Sequence, residues 1–256
     1  MTLKIEKQRV DIILPNFNSH EYLESTLKSI ISQNYKYWRL LIVDDSSNRK
    51  TKKILKKYLK NKKIKIIFLK KNKGAGYCRN LALGLCKSKY VAFIDSDDLW
   101  NKNKLSQQIK FMNKNNYDFT YTNYLTFKSR NEKKILNKIV PPSKFNYENF
   151  IKNTSIGTST MIIKTKIAKQ YKFTKTKICE DYYYKCMILR KVKYAYRLNM
   201  PLTKYRIRNN SLQSNKIRNL YWIWKINKKF NKLNVIRNFY SIIWISINSV
   251  IKYRFK

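Results

Sequence analysis

The chain has 256 residues and carries 57 Lys and Arg against 14 Asp and Glu, a formal net charge of +43. That length suits one large domain with an elaborated tail, and 43% hydrophobic content with 14% aromatics excludes a disordered chain. Four glycines and four prolines leave little room for flexible linkers.

A field of this sign draws in polyanions, whether nucleic acid, anionic lipid or a nucleotide diphosphate, and charge by itself does not choose among them. Lys, Asn, Ile and Tyr dominate, the residues of A- and T-rich codons, so not all of the charge speaks for a partner. Cys78, Cys86, Cys179 and Cys186 lack zinc-knuckle spacing, and a chain this large needs no disulfide staples, so a reduced, cytoplasmic setting is expected. The first ten residues contain no apolar stretch of the secretion-signal kind. His20 is the only histidine; it is expected in the first turn of a surface helix and is given no role.

Four apolar runs of strand length open the chain: Val10 to Leu14, Leu40 to Val43, Ile64 to Leu69 and Tyr90 to Ile94. Their nearly continuous apolar character fits strands buried on both faces of a parallel sheet. Between them the spacing predicts helices. The first is capped by Asn18 or Ser19, with Glu21 in its first turn and Leu23, Leu27 and Ile30 inward. The second runs over about 50–60 with Ile54, Leu55, Tyr58 and Leu59 inward, and Gly74-Ala75-Gly76 introduces the third. This β-α-β-α-β-α-β order is the mark of a doubly wound α/β layer.

Beyond Asp98 the pattern predicts a helix over Leu105–Met112, one or two strands over Asp118–Phe127 and a break at Pro141-Pro142. A strand over Gly157–Ile163 and a helix opening at Glu180-Asp181 follow, and from Ile217 the chain reads as helical, basic and aromatic to its end.

In a doubly wound sheet, ligands bind beyond the carboxyl ends of the strands. Asn16, Asp44 and Asp45, Lys73 and Gly74, and Asp95 to Asp98 all stand at such ends, so four separate segments converge on one crevice. Asp95 and Asp97, two apart on an extended segment, point the same way. Paired carboxylates repel unless a cation or hydrogen bonds hold them, and hard oxygen ligands suit Mg2+ or Mn2+. The alternative is a solvated acidic turn.

Pro15-Asn16-Phe17-Asn18 contains no glycine, which argues against a Rossmann fingerprint or a P-loop. Phe17 is either a packing residue or a platform for a base. Asp44-Asp45 is either an Asx turn or an acceptor for a base N–H, and Arg79 either holds a nucleotide or its phosphates or is one more solvated cation. Glu180 and Asp181 also suit a helix N-terminus for its dipole alone.

The segments Asp11-Ile-Ile-Leu-Pro-Asn-Phe-Asn, Gln33-Asn-Tyr, Leu41-Ile-Val-Asp-Asp-Ser-Ser, Asn72-Lys-Gly-Ala-Gly-Tyr-Cys-Arg-Asn and Phe93-Ile-Asp-Ser-Asp-Asp-Leu-Trp together resemble the family 2 glycosyltransferases in order and spacing. The resemblance spans roughly residues 8–215 and is strongest over 8–115. It implies an inverting enzyme of GT-A fold that uses a nucleotide-diphospho-sugar, with a UDP-sugar the expected donor, and a divalent cation. Residues 1–215 would form the catalytic domain, with a nucleotide-sugar half over 1–115 and an acceptor half over 116–215. Residues 216–256 would be a helical extension.

By the same resemblance Pro15, Phe17, Asn18, Asp45, Arg79, Asp95 and Ser96 surround the donor. Asp45 reads the base, Asp95 faces the ribose and diphosphate, and Asp97 is the metal ligand. Gly157 to Ile163 looks like the strand lining the acceptor site, which puts Ser159 there. Glu180-Asp181 resembles the family's Glu-Asp pair, whose aspartate is the catalytic base. Tyr205-Arg-Ile-Arg-Asn-Asn-Ser resembles a late segment in which histidine often stands at the place of Arg208, so here a guanidinium would meet phosphate directly. Acceptors of such enzymes are glycans, often lipid-linked, in surface polysaccharide or lipopolysaccharide assembly.

The tail interleaves Tyr221-Trp-Ile-Trp and Ile242-Ile-Trp-Ile with cations, and its apolar stretch is too short to span a bilayer. It either lies in an anionic membrane interface, at the inner face of the cytoplasmic membrane, or packs on the domain. A basic nucleic-acid-binding protein and a metal-dependent nucleotidyltransferase are the alternatives. The first leaves the clustered acids unexplained, so no nucleic acid partner is expected, and the second wants a Gly-rich phosphate loop.

Overall fold

The computed structural model describes residues 8–128, 132, 134–208 and 215–254. Strand and helix alternate through β1 (Val10–Asn16), α1 (Leu23–Ile31), β2 (Trp38–Asp44), α2 (Arg49–Lys56), β3 (Ile64–Phe68), α3 (Ala75–Gly84) and β4 (Tyr90–Phe93). Then come β5 (Leu99–Trp100), α4 (Lys104–Asn115), β6 (Phe119–Lys128), β7 (Ile135–Ile139), β8 (Lys144–Phe145) and α5 (Tyr147–Phe150). A 3-10 turn (Thr158–Thr160) leads into β9 (Ile162–Lys164), α6 (Thr165–Ala168), α7 (Glu180–Val192) and β10 (Ala195–Ile207). Two helices, α8 (Lys216–Lys229) and α9 (Val235–Arg254), follow.

The strands form one mixed sheet in the order β3-β2-β1-β4-β9-β6-β10-β5, with β7 paired to β6 and β8 to β10. The first four are mutually parallel, and β9 enters antiparallel between β4 and β6. Alternate residues of the central strands feed two apolar layers. Ile12, Leu14, Leu40 and Ile42 meet α1 and α4 on one face, while Ile13, Leu41, Val43 and Phe93 meet α3 and α7 on the other. The expected doubly wound layer is present, and its strand ends open on one side.

Local differences from expectation have physical causes. Neither Asn18 nor Ser19 caps α1 with its side chain: the Ser19 carbonyl takes the amides of Tyr22 and Leu23, and its hydroxyl donates to Asn16. His20 therefore lies in the turn before the helix. Helix α2 stops at Lys56, which leaves Leu59 52% exposed instead of inward. The stretch from Gly157 to Ile163 is no continuous strand, because both the amide and the hydroxyl of Thr160 bond back to the Gly157 carbonyl and tighten the chain into a turn. The tail is broken at 230–234, where Lys232 adopts a φ of 56°. Ile223, Ile226, Leu233 and Ile245 of the tail join the apolar layer behind α7, so α8 and α9 pack on the domain through these side chains.

Lys104, at the start of α4, is wholly buried; its ammonium donates to Gln108 Oε1 (2.6 Å) and the Thr160 carbonyl (3.1 Å). Burial pushes its pKa down to about 7. The unfolded chain then binds the extra proton between about pH 7 and the ordinary lysine value, so this residue weakens the fold most below that window and least above it. Lys104→Met is expected to gain roughly a few kcal/mol relative to the native chain at pH 6, a difference that fades by pH 10. Urea denaturation of both proteins across that range measures it.

Candidate active site

Asp44, Asp45, Asp95, Asp97, Asp98, Glu180 and Asp181 make up half of the 14 acids of a very basic chain, and they gather at the strand ends and at the start of α7. Each is held in a different way.

Asp44, at the end of β2, is fully buried and accepts from Asn16 Nδ2 (2.6 Å) and the Ser47 amide (3.1 Å), tying the β1 and β2 turns together. Asp45 takes the Lys73 amide on one oxygen (2.7 Å) and the Gly74 amide on the other (2.8 Å). Gly74 has a φ of +87°, the left-handed region that favours glycine, and this turns two successive N–H groups onto one carboxylate. A carboxylate has about four acceptor sites, so Asp45 keeps capacity for a further donor. Phe17, 50% exposed, follows Asn16, whose carbonyl takes the Asp45 amide (2.7 Å), Pro15 is buried in register with Val43, and Asn18, at φ 48°, anchors its loop through Ser47 and Asn48. Ser96 stands half-buried between Asp95 and Asp97, its carbonyl held by Thr26.

Arg79 is no solvated cation. It reaches from α3 to Asp95 (2.6 Å) and Glu180 (2.5 Å), with its side chain 6% exposed. Burial opposes its charge, but Asp95, Glu180 and Asp181 outweigh burial and hold its pKa above the ordinary arginine value. Close packing makes the bridge possible: a Cβ on Gly76 would lie 2.5 Å from the Thr174 carbonyl oxygen and 3.1 Å from Glu180 Cγ. Glu180 itself is raised by burial against the pull of Arg79.

Asp97 is paired with the Arg208 guanidinium at 2.8 Å. Burial raises its pKa, Arg208 opposes the shift and Asp95 adds to it. Asp98, expected only as part of the acidic run, is a scaffold: it accepts from the Ser159 hydroxyl (2.5 Å) and the Arg206 amide (3.0 Å). Ser159 also receives the Asp95 amide (3.0 Å) and is 2% exposed. It thus fastens the acidic loop from behind, whereas its neighbours Gly157 and Thr158 face the cavity. Of Tyr205-Arg-Ile-Arg-Asn-Asn-Ser, the last three residues lie outside the described residues.

A cavity of about 180 Å³ has Asp95 and Asp181 in one wall system, with Thr158, Tyr182, Lys185 and Tyr205. Asp181 accepts from Thr158 Oγ1 (2.6 Å) and Lys185 Nζ (2.6 Å). Burial pushes its pKa up, but Lys185 and Arg79 more than reverse this, so the carboxyl sits well below the usual carboxylate range. Thr158 and Lys185 escaped the sequence reading. The i, i+4 spacing of Asp181 and Lys185 on α7 was a usable signal, drowned by the abundance of lysine. Asn219 and Ile223 of α8 complete the cavity, so the tail helps to build it.

A divalent cation fits this donor set. Carboxylate oxygens are hard ligands, and the repulsion between Asp95 and Asp97 calls for positive charge, which Arg208 supplies from one side. Among the described residues no group of three or more His, Cys, Asp or Glu side chains is gathered around one point. An ion on Asp97 would therefore draw the rest of its shell from substrate and water.

A doubly wound sheet with acids at its strand ends, one of which shares a cavity with a buried, hydrogen-bonded aspartate, is an arrangement in which α/β enzymes bind their ligands. The chain belongs to glycosyl transferase family 2, whose model matches residues 11–193. It is 32% identical over 247 residues to the putative teichuronic acid biosynthesis glycosyltransferase TuaG of Bacillus subtilis, covering 96% of this chain and 98% of the relative. It is 33% identical over 240 residues to the Escherichia coli UDP-Glc:alpha-D-GlcNAc-diphosphoundecaprenol beta-1,3-glucosyltransferase WfgD, covering 93% and 92%. In fold it matches the mannosyltransferase PcManGT of Pyrobaculum calidifontis in complex with GDP-Man and Mn2+, with a TM-score of 0.70, 13% identity and coverage of 93% and 70%. The expected GT-A architecture is thereby present.

Proposed function

We propose that this glycosyltransferase moves a sugar from a UDP-sugar to a hydroxyl of a diphospholipid-linked glycan during assembly of a cell-surface polysaccharide. The observation that carries this reading is that Asp95 and Asp181 line one cavity, the first read as facing the donor and the second the acceptor. The names of the relatives supply the substrate classes: a UDP-sugar donor and an undecaprenol-diphosphate acceptor for WfgD, and a surface polymer for TuaG.

In this reading Phe17 offers its exposed ring to the base and Asp45 accepts from a base N–H. Asp95, oriented by Arg79, faces the ribose. Asp97 would hold a divalent cation, Mn2+ as in the mannosyltransferase complex or Mg2+, which supplies positive charge to the departing diphosphate. Arg208, next to it, contacts phosphate with its guanidinium. Asp181 orients the acceptor hydroxyl and takes its proton as the oxygen attacks the anomeric carbon from the opposite face. One such displacement inverts that carbon. Fixing donor and acceptor in line supplies much of the rate.

The test is a panel of UDP-sugars with Mn2+ and a short-chain diphospholipid-linked monosaccharide. One donor should give a disaccharide of inverted configuration. Transfer only from GDP-sugars, or a product with retained configuration, overturns the assignment.

A further inference from the structure

Helix α9 turns polar as well as apolar side chains inward: Asn238 and Ser241 are 1% and 0% exposed, beside Ile245 at 6%. Asn227 of α8 donates to both, at 3.0 and 3.1 Å. Ser241 in turn donates to the Ile151 carbonyl (2.5 Å), and Asn248 to the Lys152 carbonyl (3.1 Å). These bonds fix the rotation of the helix, because rolling it over would strand several buried polar groups.

Its outward stripe is apolar. Ile236, Phe239, Ile243, Trp244, Ile247 and Ile251 follow one helical face, with exposures from 38% at Trp244 to 81% at Ile236. Over the sixteen residues from Ile236 to Ile251 this makes a strip of about 22 Å at ~1.5 Å rise per residue. An unpartnered apolar strip of that length marks a docking surface.

We infer that this face lies in the headgroup region of an anionic lipid bilayer. Charge selects the occupant. Lys152 holds its ammonium 5.0 Å from the Tyr240 ring of α9, exposed Lys225, Lys228, Lys229 and Lys232 lie on α8 and the turn that leads into α9, and Glu148 is already bonded twice by Arg237, in a chain of net charge +43. A second copy would bring an equal excess of positive charge with no acids to meet it, whereas anionic headgroups complement it. Among the described residues no helix is long and apolar enough to cross a membrane, so α9 lies along the surface, where Trp and Tyr settle readily.

The same hairpin reaches the chemistry. Asn227 accepts from the Tyr182 hydroxyl (2.8 Å), next in chain to Asp181, and α8 places Ile223 in the cavity wall. Resting on the acceptor reading above, the docked hairpin presents the cavity to a lipid-borne diphosphate in the same bilayer.

Flotation of the full chain with phosphatidylcholine vesicles, with and without phosphatidylglycerol, tests the inference and needs neither donor nor acceptor. The native protein should float with the anionic vesicles and release at high salt. The triple variant Phe239→Ser, Ile243→Ser, Ile247→Ser should bind them at least about tenfold more weakly. It should also keep native transfer to a water-soluble short-chain acceptor, which verifies its fold, and the single Ile243→Asp should act in the same direction. Native protein that stays unbound at low salt, a triple variant that binds equally well, or a native dimer dispersed by the triple change would each overturn the proposal. Failure of transfer on every acceptor would sink the acceptor reading and leave the flotation result standing.

Discussion

Asp181→Asn is expected to lower the transfer rate by about a thousandfold while leaving affinity for the sugar nucleotide within about twofold. The substitution keeps the shape of the side chain and an oxygen for Thr158 and Lys185, which hold it at 2.6 Å each. What it removes is a negative charge and a site for the acceptor proton. Donor affinity is expected to survive because, in the proposed reading, the donor is held from the strand ends by Asp45, Asp95 and Asp97. Single-turnover kinetics with isothermal titration of UDP separates the two quantities, and full transfer by the Asn protein would exclude Asp181 as the base.

The same pair makes a pH prediction. Lys185 and Arg79 depress the Asp181 pKa against the opposing effect of burial, so the carboxylate stays ionised throughout the neutral range. Its share of folded-state stability is fully present above the ordinary aspartate value and is lost only as pH falls below it. Lys185→Met removes the nearest counter-charge and leaves burial in place, which raises the Asp181 pKa. The pH–rate profile of that variant should gain an acidic limb that the native enzyme lacks.

Arg79→Met should cost about 3–5 kcal/mol of stability and abolish tight donor binding. Its guanidinium lies between Asp95 and Glu180 with only 6% of the side chain exposed, so removal strands two carboxylates in a partly buried site. Arg79→Lys separates folding from function. A single ammonium cannot reproduce the fork that spans both acids, so this variant should fold yet bind the donor more weakly than the native enzyme. Chemical denaturation and nucleotide titration read the two effects; native stability in the Met variant would refute the bridge as a structural element.

Much of the acid cluster at the strand ends was legible along the chain because each piece is local. Apolar runs ending in Asn16, Asp44–Asp45 and Asp95–Asp98 obey the strand period, and a doubly wound sheet brings such ends to one edge. The role proposed for Asp181 came only through a resemblance, since a Glu-Asp pair at a helix start has an ordinary dipole explanation. Ser159 was placed on the acceptor side because a strand was expected over 157–163. The Thr160 back-bonds turn that segment into a 3-10 turn, which buries Ser159 against Asp98 and leaves Thr158 toward the cavity.

Short-range pattern thus settled the α/β order and the acids at the strand ends, since strand and helix periods and turn chemistry act within a few residues, while the glycosyltransferase character came only through the resemblance of the motifs. Tertiary structure alone decided the partners of those acids. Arg79 meets Glu180 across 101 residues of chain, and Arg208 meets Asp97 across more than a hundred. It also decided the facing of α9, whose apolar side points outward because Asn238 and Ser241 find partners inside. In a chain with 57 basic side chains, proximity in sequence does not tell which one becomes a counter-ion, because burial, and with it the strength of each pair, exists only once the sheet has closed.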